Sequence, residues 1–557
     1  MSRPSKSWMH AGLLMVIAAL LLAACSGGGG GAKQPADSTG TDKPSTAKPS
    51  DEGNSGEDLK PFTIKFFDQN TGDKFNNPVA QVITERTGVT VEIQQPTGNP
   101  SEKLNLMLAS NDLPDVILTG RGSDIVDKYI AAGAFIPLDD LIEEHGPNIK
   151  KMYGEMLNKI RHSDGKNYYL SNWYGLDADP VFGFMMRKDV LKELGAVAKA
   201  DNGEPFSAEE FKDLLVAFKA KYPTIDGKPS VPLTMNGENM GAVMGTFKGM
   251  YGMKSYYKTD NDELKLDVRD PRYLDMVKYM NNLFTEGLVD TEWAINKNQL
   301  FEQKTSSGTV FASVGAYWDF GNANNLLKEA AADPANKEES QFYSYKVVGP
   351  GIDPSQTTFG PRSSLGWDAI AITRANSDPV RTIKFIDFLA SEEGQYLLMW
   401  GVEGKHWDMV DGKRVPKPET MEGLQADWTE FTKNEGVRKW TWFIKNGMGS
   451  DGSPYDMATK YERDPVSALA LKNLEDSVWD TSPYDNLGPD GGTPEALIQQ
   501  KVKDLMDNHF PKMVMAGSEA EVEQVYNTLV SELDKAGADK LEQIYTANYK
   551  ERLSLWQ

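Results

Sequence analysis

Five aromatic residues, Trp173, Tyr174, Tyr317, Trp318 and Trp367, fall where a predicted strand ends and the chain turns, and loops at strand ends are where α/β folds hold ligands. Flat rings in such loops can stack on the apolar C–H faces of a sugar, while acids and amides, each able to make two hydrogen bonds at once, fix its hydroxyls. Arg121 and Arg362 would add bidentate pairing with a carboxylate, the chemistry an acidic sugar needs; both also read as solvated loop residues or as partners of the many acids. Trp400, Trp407, Trp440 and Trp442 cluster later in the chain, where core and site are equally open readings. Catalytic signatures are missing. There is no His-Glu-x-x-His, no Gly-x-Ser-x-Gly and no phosphate-binding glycine loop, and the five histidines, His10, His145, His162, His406 and His509, are scattered. Paired carboxylates hydrolyse glycosides, but an abundance of acids is not a pairing.

The elements that must position these residues can be read from periodicity. "PFTIKFFDQN" puts Phe62, Ile64 and Phe66 on one face of a strand that ends at Asp68. Asn77-Pro78 reads as an N-cap with proline at the first helical position; Val79, Val82 and Ile83 give that helix its apolar stripe, and Gly88 stops it. "VTVEI" from Val89 alternates as a strand, Leu104, Met107 and Leu108 mark a helix, and "DVIL" from Asp115 is a short apolar strand. Strand, helix, strand, helix, strand predicts parallel pairing through right-handed crossovers. Further on, "FSAEEF" carries a capping box, Ser207 with Glu210, and a hydrophobic staple, Phe206 with Phe211, opening a helix that buries Leu214, Leu215 and Phe218. Tyr273, Met276, Met280, Leu283 and Phe284 line another helix, ended by Gly287, and "GTVFASVG" holds a strand from Val310. Asp378-Pro379 caps a helix burying Ile383 and Ile386, and Ser518 with Glu521 forms a second capping box before Val522, Val525, Tyr526, Leu529 and Leu533 in a largely helical tail. There is no internal repeat. Alternating strands and helices in more than one region predict α/β domains.

The one cysteine, Cys25, stands at the edge of an apolar run and before five glycines. Arg3 and Lys6 precede an uncharged stretch from Ala11 to Ala24, the layout of a secretory signal and shorter than the ~20 apolar residues a membrane-spanning helix needs. Leu22-Ala23-Ala24-Cys25 resembles the lipobox of bacterial lipoproteins, which implies that residues 1–24 are removed and that the Cys25 thiol carries a diacylglycerol. Two acyl chains hold a protein stably on a membrane where one is marginal. From Ser26 to Lys60 the only large apolar side chain is Leu59, too little burial to offset the entropy of ordering the segment. Residues 25–60 therefore read as a lipidated cysteine and a disordered tether reaching roughly 30 to 35 Å, from ~5 to 6 Å times the square root of its length. The net charge of −22 argues against nucleic acid, whose phosphates need Lys and Arg. With no second cysteine, disulfides and thiolate metal sites are excluded. The body from Pro61 to Gln557 is long enough for two or more domains.

Within that body a resemblance becomes specific. "KLNLMLASNDLPDVILTG" (Lys103 to Gly120), "AAGAFIPLDDLI" (Ala131 to Ile142), "DGKNYYLSNWYG" (Asp164 to Gly175), "FASVGAYWDF" (Phe311 to Phe320) and "GWDAIAITRANSDPVRTIKFIDFLASEEG" (Gly366 to Gly394) resemble, in this order, the extracellular solute-binding proteins of the maltose-binding type. More narrowly they are similar to the large lipoproteins that feed oligosaccharide ABC importers. The resemblance implies a type II periplasmic-binding-protein fold, two lobes with a ligand cleft between them, and chain crossings near Asn172, Ser344 and Gly404. The expected lobes are residues 61–172 plus 345–404 and residues 173–344 plus 405–557. It sets Trp318 where the family stacks an aromatic on sugar, and places the loops carrying Asp68, Gln69 and Asp124 on the cleft rim. Asp124 reads equally as a helix cap, and Trp173 and Trp367, near the crossings, equally as hinge packing. Some members carry a calcium loop in the second lobe; "YPTIDGKPSVPLT" lacks its alternation, and "DNDELKLD" has Leu264 and Lys265 where a ligand and a glycine are needed, so neither metal nor cofactor is expected.

The resulting expectation is the binding subunit of an importer rather than an enzyme. It would be a monomer held on the outer face of a bacterial cell membrane through its lipid alone, taking up an oligosaccharide, for instance one derived from a polysaccharide. It would deliver that ligand to permease subunits driven by a cytoplasmic ATPase. The alternatives are an exported carbohydrate-active enzyme and a surface glycan-binding protein without transport.

Overall fold

Alternate residues of a strand face opposite ways, and the packing around the first sheet divides accordingly. In the computed structural model, Ile64 and Phe66, Val116 and Leu118, and Ile370 and Ile372 turn to one face, where Val79, Ile83, Ile383 and Ile386 from helices cover them. Phe67, Ile117, Ala369 and Ala371 turn to the other, against Leu104, Ile125 and Tyr129. The structure describes residues 60–176, 179–459, 464–489 and 493–556. The signal segment, Cys25 and the tether up to Leu59 lie outside the described residues.

The first sheet has five strands in the order Val89–Gln94, Phe62–Asp68, Val116–Gly120, Asp368–Ile372, Leu170–Asn172. Its first three strands pair in parallel, as the strand and helix alternation requires, with helices Pro78–Thr87 and Pro100–Ser110 between them. Asn77 accepts from the Ala80 amide at the first helix's N-terminus, and Gly88 ends that helix in the left-handed region at φ 68°. Strand Asp368–Ile372 returns antiparallel to both its neighbours, setting Asp368 beside Gly120 on one side and Asn172 on the other.

A second sheet of four strands runs Phe342–Tyr345, Gly183–Arg187, Val310–Gly315, Val231–Leu233. Phe184, Met186, Phe311 and Tyr345 face a large core, while Met185, Val310 and Phe342 face a smaller one with Phe301 and Phe320. Helix Ala208–Lys221 opens on the full capping box of Ser207 and Glu210. At the second expected box, Ser518 caps the Glu521 amide, but the Glu521 carboxylate reaches back one residue further, to the Gly517 amide.

The two cores draw on the chain differently from the expected lobes. Val347 and Phe359 pack in the core of the second sheet, whereas Trp407, Leu424, Trp440, Trp442, Tyr455 and Met457 pack in that of the first. The chain thus passes between cores over residues 174–184, 359–365 and 457–466, and not near Ser344 or Gly404. The physical reason is apolar bulk. Residues 407–457 carry three buried tryptophans that complete the first core, and the second is completed by Val466, Leu474 and the helices Pro494–Val514, Glu519–Ala536 and Ala538–Leu555. At the passage through 360–362, strand Gly360–Arg362 pairs in parallel with Val478–Asp480. The last helix packs in the second core through Leu541, Tyr545 and Tyr549, and Trp556 just beyond it lies against the first. No helix of the described residues is long and apolar enough to cross a membrane.

Candidate functional site

The carboxyl ends of the first sheet's parallel strands bring polar side chains together. Asp68 ends its strand only 2% exposed. Its carboxylate accepts from Trp442 Nε1 (2.8 Å) and from the Asn70 amide (2.8 Å), and burial raises its pKa above the usual carboxylate value. Trp442 in turn packs on Phe66 and Phe75, and Trp440 donates Nε1 to Asn77 Oδ1 (3.0 Å). Of the four tryptophans whose role the sequence left open, Trp440 and Trp442 are therefore buried posts that fix the 68–77 loop, while Trp400 and Trp407 are core residues that donate to the Pro454 and Gly401 carbonyls. Asp68, expected to meet ligand, is instead buried, its carboxylate occupied by Trp442 and the Asn70 amide.

Above it, Gln69 Nε2 and Asn70 Nδ2 reach the two oxygens of Asp368 at 3.3 and 3.4 Å. Burial, with the Asp68 charge adding to it, raises the Asp368 pKa against hydrogen bonds from Asn172, Asn70 and Gln69 that lower it. Asn70 and Asp368 were not singled out from sequence. The available signal was the acid standing directly between Trp367 and the apolar run "AIAI".

Trp367, next to Asp368, is 49% exposed, and Trp318, which follows strand Val310–Gly315 of the other sheet, is 47% exposed. Between them lies Arg362, only 8% exposed, its guanidinium 5.6 Å from the Trp318 ring and 5.8 Å from that of Trp367. Arg362 Nε donates to the Asp179 carbonyl (2.8 Å). Tyr317 meets Trp318 edge to face at 4.8 Å while packing on the second sheet's cores. Beside Trp318, the Asp319 carboxyl is pushed up by burial, although the Ala316 amide bonds to it. Three of the residues picked from sequence thus come together at the junction of the two cores, Trp318 from one segment and Arg362 and Trp367 from another.

The others are placed differently. Tyr174 is 1% exposed and stacks on Tyr153 at 4.0 Å, so it is core, with no face left for a ligand. Its neighbour Trp173 is half-buried against the first core, in the left-handed region at φ 58°. Such a conformation is costly for a large residue. It is held by Asn172, whose Oδ1 accepts the Trp173 and Ile444 amides, and by Gly366, where a Cβ would stand 2.1 Å from the Asn172 carbonyl. Arg121 was expected to be available to a ligand carboxylate; instead it is buried and paired with Asp485, donating also to Ser363 Oγ and the Gly366 carbonyl. Asp124 is the first residue of helix Asp124–Ala131 and pairs with Lys128 one turn on; Ser123 holds the cap position. Among the described residues, no three His, Cys, Asp or Glu side chains are grouped as a metal set.

Two α/β cores with exposed aromatics and polar side chains at their junction define a periplasmic-binding-protein architecture of type II, two lobes with a ligand cleft between them. A sequence profile of the bacterial extracellular solute-binding proteins matches residues 78–402, and the chain belongs to that family. It is similar to the lipoprotein LipO of Bacillus subtilis, 24% identical over 60% of this chain and 65% of LipO. It is also similar to the polygalacturonan/rhamnogalacturonan-binding protein YtcQ of the same organism, 24% identical over 69% of this chain and 73% of YtcQ. The chain therefore aligns to about two thirds of the length of these relatives. Among solved structures, the alginate-binding protein AlgQ2 without calcium ion superposes with a TM-score of 0.62, at 23% identity over 88% of this chain and 98% of AlgQ2.

Proposed function

We propose that this protein is the lipid-anchored, extracellular solute-binding subunit of an ABC importer, binding an oligosaccharide between its two lobes and handing it to the permease. The observation that carries the reading is the pair of half-exposed indoles, Trp318 from the second sheet and Trp367 from the first, set about Arg362. Exposed flat rings are what stacking on a sugar requires, and Gln69, Asn70 and Asp368 supply hydroxyl partners next to Trp367. Trp173, Tyr317 and, on the rim, Asp124 complete the set. Family membership and the sugars named for YtcQ and AlgQ2 support the ligand class. A ligand that contacts both lobes shifts the open and closed populations toward the closed form, which is what the permease receives. Anchoring is assigned to Cys25 and the standoff from the membrane to the tether. The ligand is held and released without chemical change.

The test is a melting screen of the full chain against neutral and uronic oligosaccharides. At about a hundredfold excess over its dissociation constant a ligand adds ~2.7 kcal/mol, which raises the melting temperature by several degrees at ~2 to 4 °C per kcal/mol for bodies of this order. Mass spectrometry of the stabilising sugar after many hours should find it intact. Shorter fragments, abolished by changing one acid, would make the protein a carbohydrate-active enzyme instead.

A further inference from the structure

The arrangement of Trp318, Arg362 and Trp367 raises a question of cause. Among the described residues the two half-exposed indoles, one from each lobe, make no ring contact with each other, yet a sugar ring needs both faces in register. Arg362 is well placed to fix them. Its backbone is pinned along one edge, since strand Gly360–Arg362 pairs with Val478–Asp480 and the Arg362 carbonyl accepts the Thr481 amide at 2.8 Å. Its Nε is tied to the Asp179 carbonyl. A side chain held at root and head, and only 8% exposed, leaves its guanidinium plane with little freedom. That plane then touches one indole from each sheet, at 5.6 and 5.8 Å, within the range over which a cation is attracted by a ring face. Guanidinium stacks on aromatic faces in a way that an ammonium on a flexible stem does not.

We propose that Arg362 is the positioning residue of the cleft: its guanidinium clamps Trp318 and Trp367 at the spacing that a sugar ring reads, and so sets affinity without itself pairing with the sugar. This rests on the oligosaccharide-binding reading above. It departs from the sequence-based expectation that Arg362 meets a ligand carboxylate, because the role is the same for neutral and acidic sugars.

The experiment uses the full chain in detergent and compares Arg362→Met, which keeps length but not charge, with Arg362→Lys. Acrylamide, a neutral quencher, is titrated in the absence of sugar, and the contribution of the two indoles is isolated by difference with Trp318→Phe and Trp367→Phe. Arg362→Met should at least double that contribution, with Arg362→Lys between it and the parent, while melting stays within a few degrees. Titration with kestose and with trigalacturonate then follows, a bound probe losing roughly tenfold in affinity per cation–ring contact removed. Unchanged difference quenching in Arg362→Met overturns the clamp, as does an affinity loss confined to trigalacturonate, which would make Arg362 a carboxylate partner. If Trp318→Ala and Trp367→Ala leave binding of both probes untouched, the two indoles are not the site and the clamp fails with them, whereas a parent chain that binds neither probe and is stabilised by no sugar overturns the oligosaccharide reading itself.

Discussion

Arg121 and Asp485 meet where the two cores join, Nη2 to Oδ2 at 2.6 Å, with side chains only 9% and 19% exposed. Arg121 extends from the end of the first sheet's central strand, and Asp485 stands two residues before Leu487 of the second core. Ser363 Oγ donates to the same Asp485 oxygen, and Arg552 Nη1 donates to the Ser482 and Asp485 carbonyls. Burial lowers the Arg552 pKa against the Asp485 charge, which raises it. The polar groups at this junction are therefore joined across the lobes, and a change in lobe angle must work against them.

Arg121→Met is expected to cost about 3 kcal/mol, the low end of what breaking a buried pair costs when one charge is left behind, because Asp485 keeps Ser363 and Thr481. Asp485→Asn should cost less, since an amide oxygen in the place of Oδ2 still accepts from Arg121 and Ser363. Denaturant melts of the two variants and of the double variant check this. Additive losses would show that the two side chains are not coupled.

How much of this was legible beforehand can be judged residue by residue. The parallel pairing of the first sheet's first three strands followed from local signals, Asn77-Pro78 and Gly88 among them, because caps and periodicity act over a few residues. Trp318 and Trp367 were singled out because an aromatic at a strand end leaves a trace in sequence, and both stand half-exposed. Tyr174 carries the same trace, and Arg121 likewise follows a strand end, but both fold inward and nothing local announces it. Arg121 turns in because Asp485, 364 positions away, is there to meet it. The passage between cores after Met457 was missed for the same reason: which core Trp440 and Trp442 complete is decided by Asp68, Phe66 and Phe75, far back in the chain.

Acid should loosen the first lobe at His406. This ring is buried; its Nδ1 accepts the Val402 amide (2.8 Å), so Nε2 carries the proton that faces Glu435 Oε2 (3.0 Å). Lys405, paired with Glu435, and Lys417 are the other charges around it. Burial lowers the His406 pKa below 6.5, more than Glu435 raises it. A group with a depressed folded pKa binds its proton more readily unfolded, so stability is constant above about pH 6.5 and falls as pH drops through the window below it. Melting temperature followed from pH 7.5 to 5 should fall less steeply for His406→Gln than for the parent. Equal slopes would place the acid sensitivity elsewhere.

Cys25→Ser should release the protein from the membrane. The motive is the small-residue stretch Leu22-Ala23-Ala24 before the chain's one thiol, together with the two-chain anchoring that a diacylated cysteine provides. Metabolic labelling with a fatty acid should mark the parent and not the variant, and fractionation should move the variant from membrane to medium. Equal labelling of both refutes the anchor.

Trp318→Ala separates site from core. A fully buried tryptophan costs ~3 to 5 kcal/mol on truncation to alanine, and Trp440, buried and bonded to Asn77, should pay in that range. Trp318 leaves about half its surface to solvent, and its inner contacts are the edge of Tyr317 and the Arg362 guanidinium. Its loss should therefore cost roughly a third of that, while sugar affinity drops at least tenfold because a stacking face is gone. The same should hold for Trp367→Ala, whose ring is as exposed and whose backbone bonds, to Asn172 and from the Arg121 amide, survive the change. Calorimetric melting and titration on the same sample read both quantities. A Trp318→Ala variant that melts as low as Trp440→Ala yet binds as tightly per folded molecule as the parent would return Trp318 to the core.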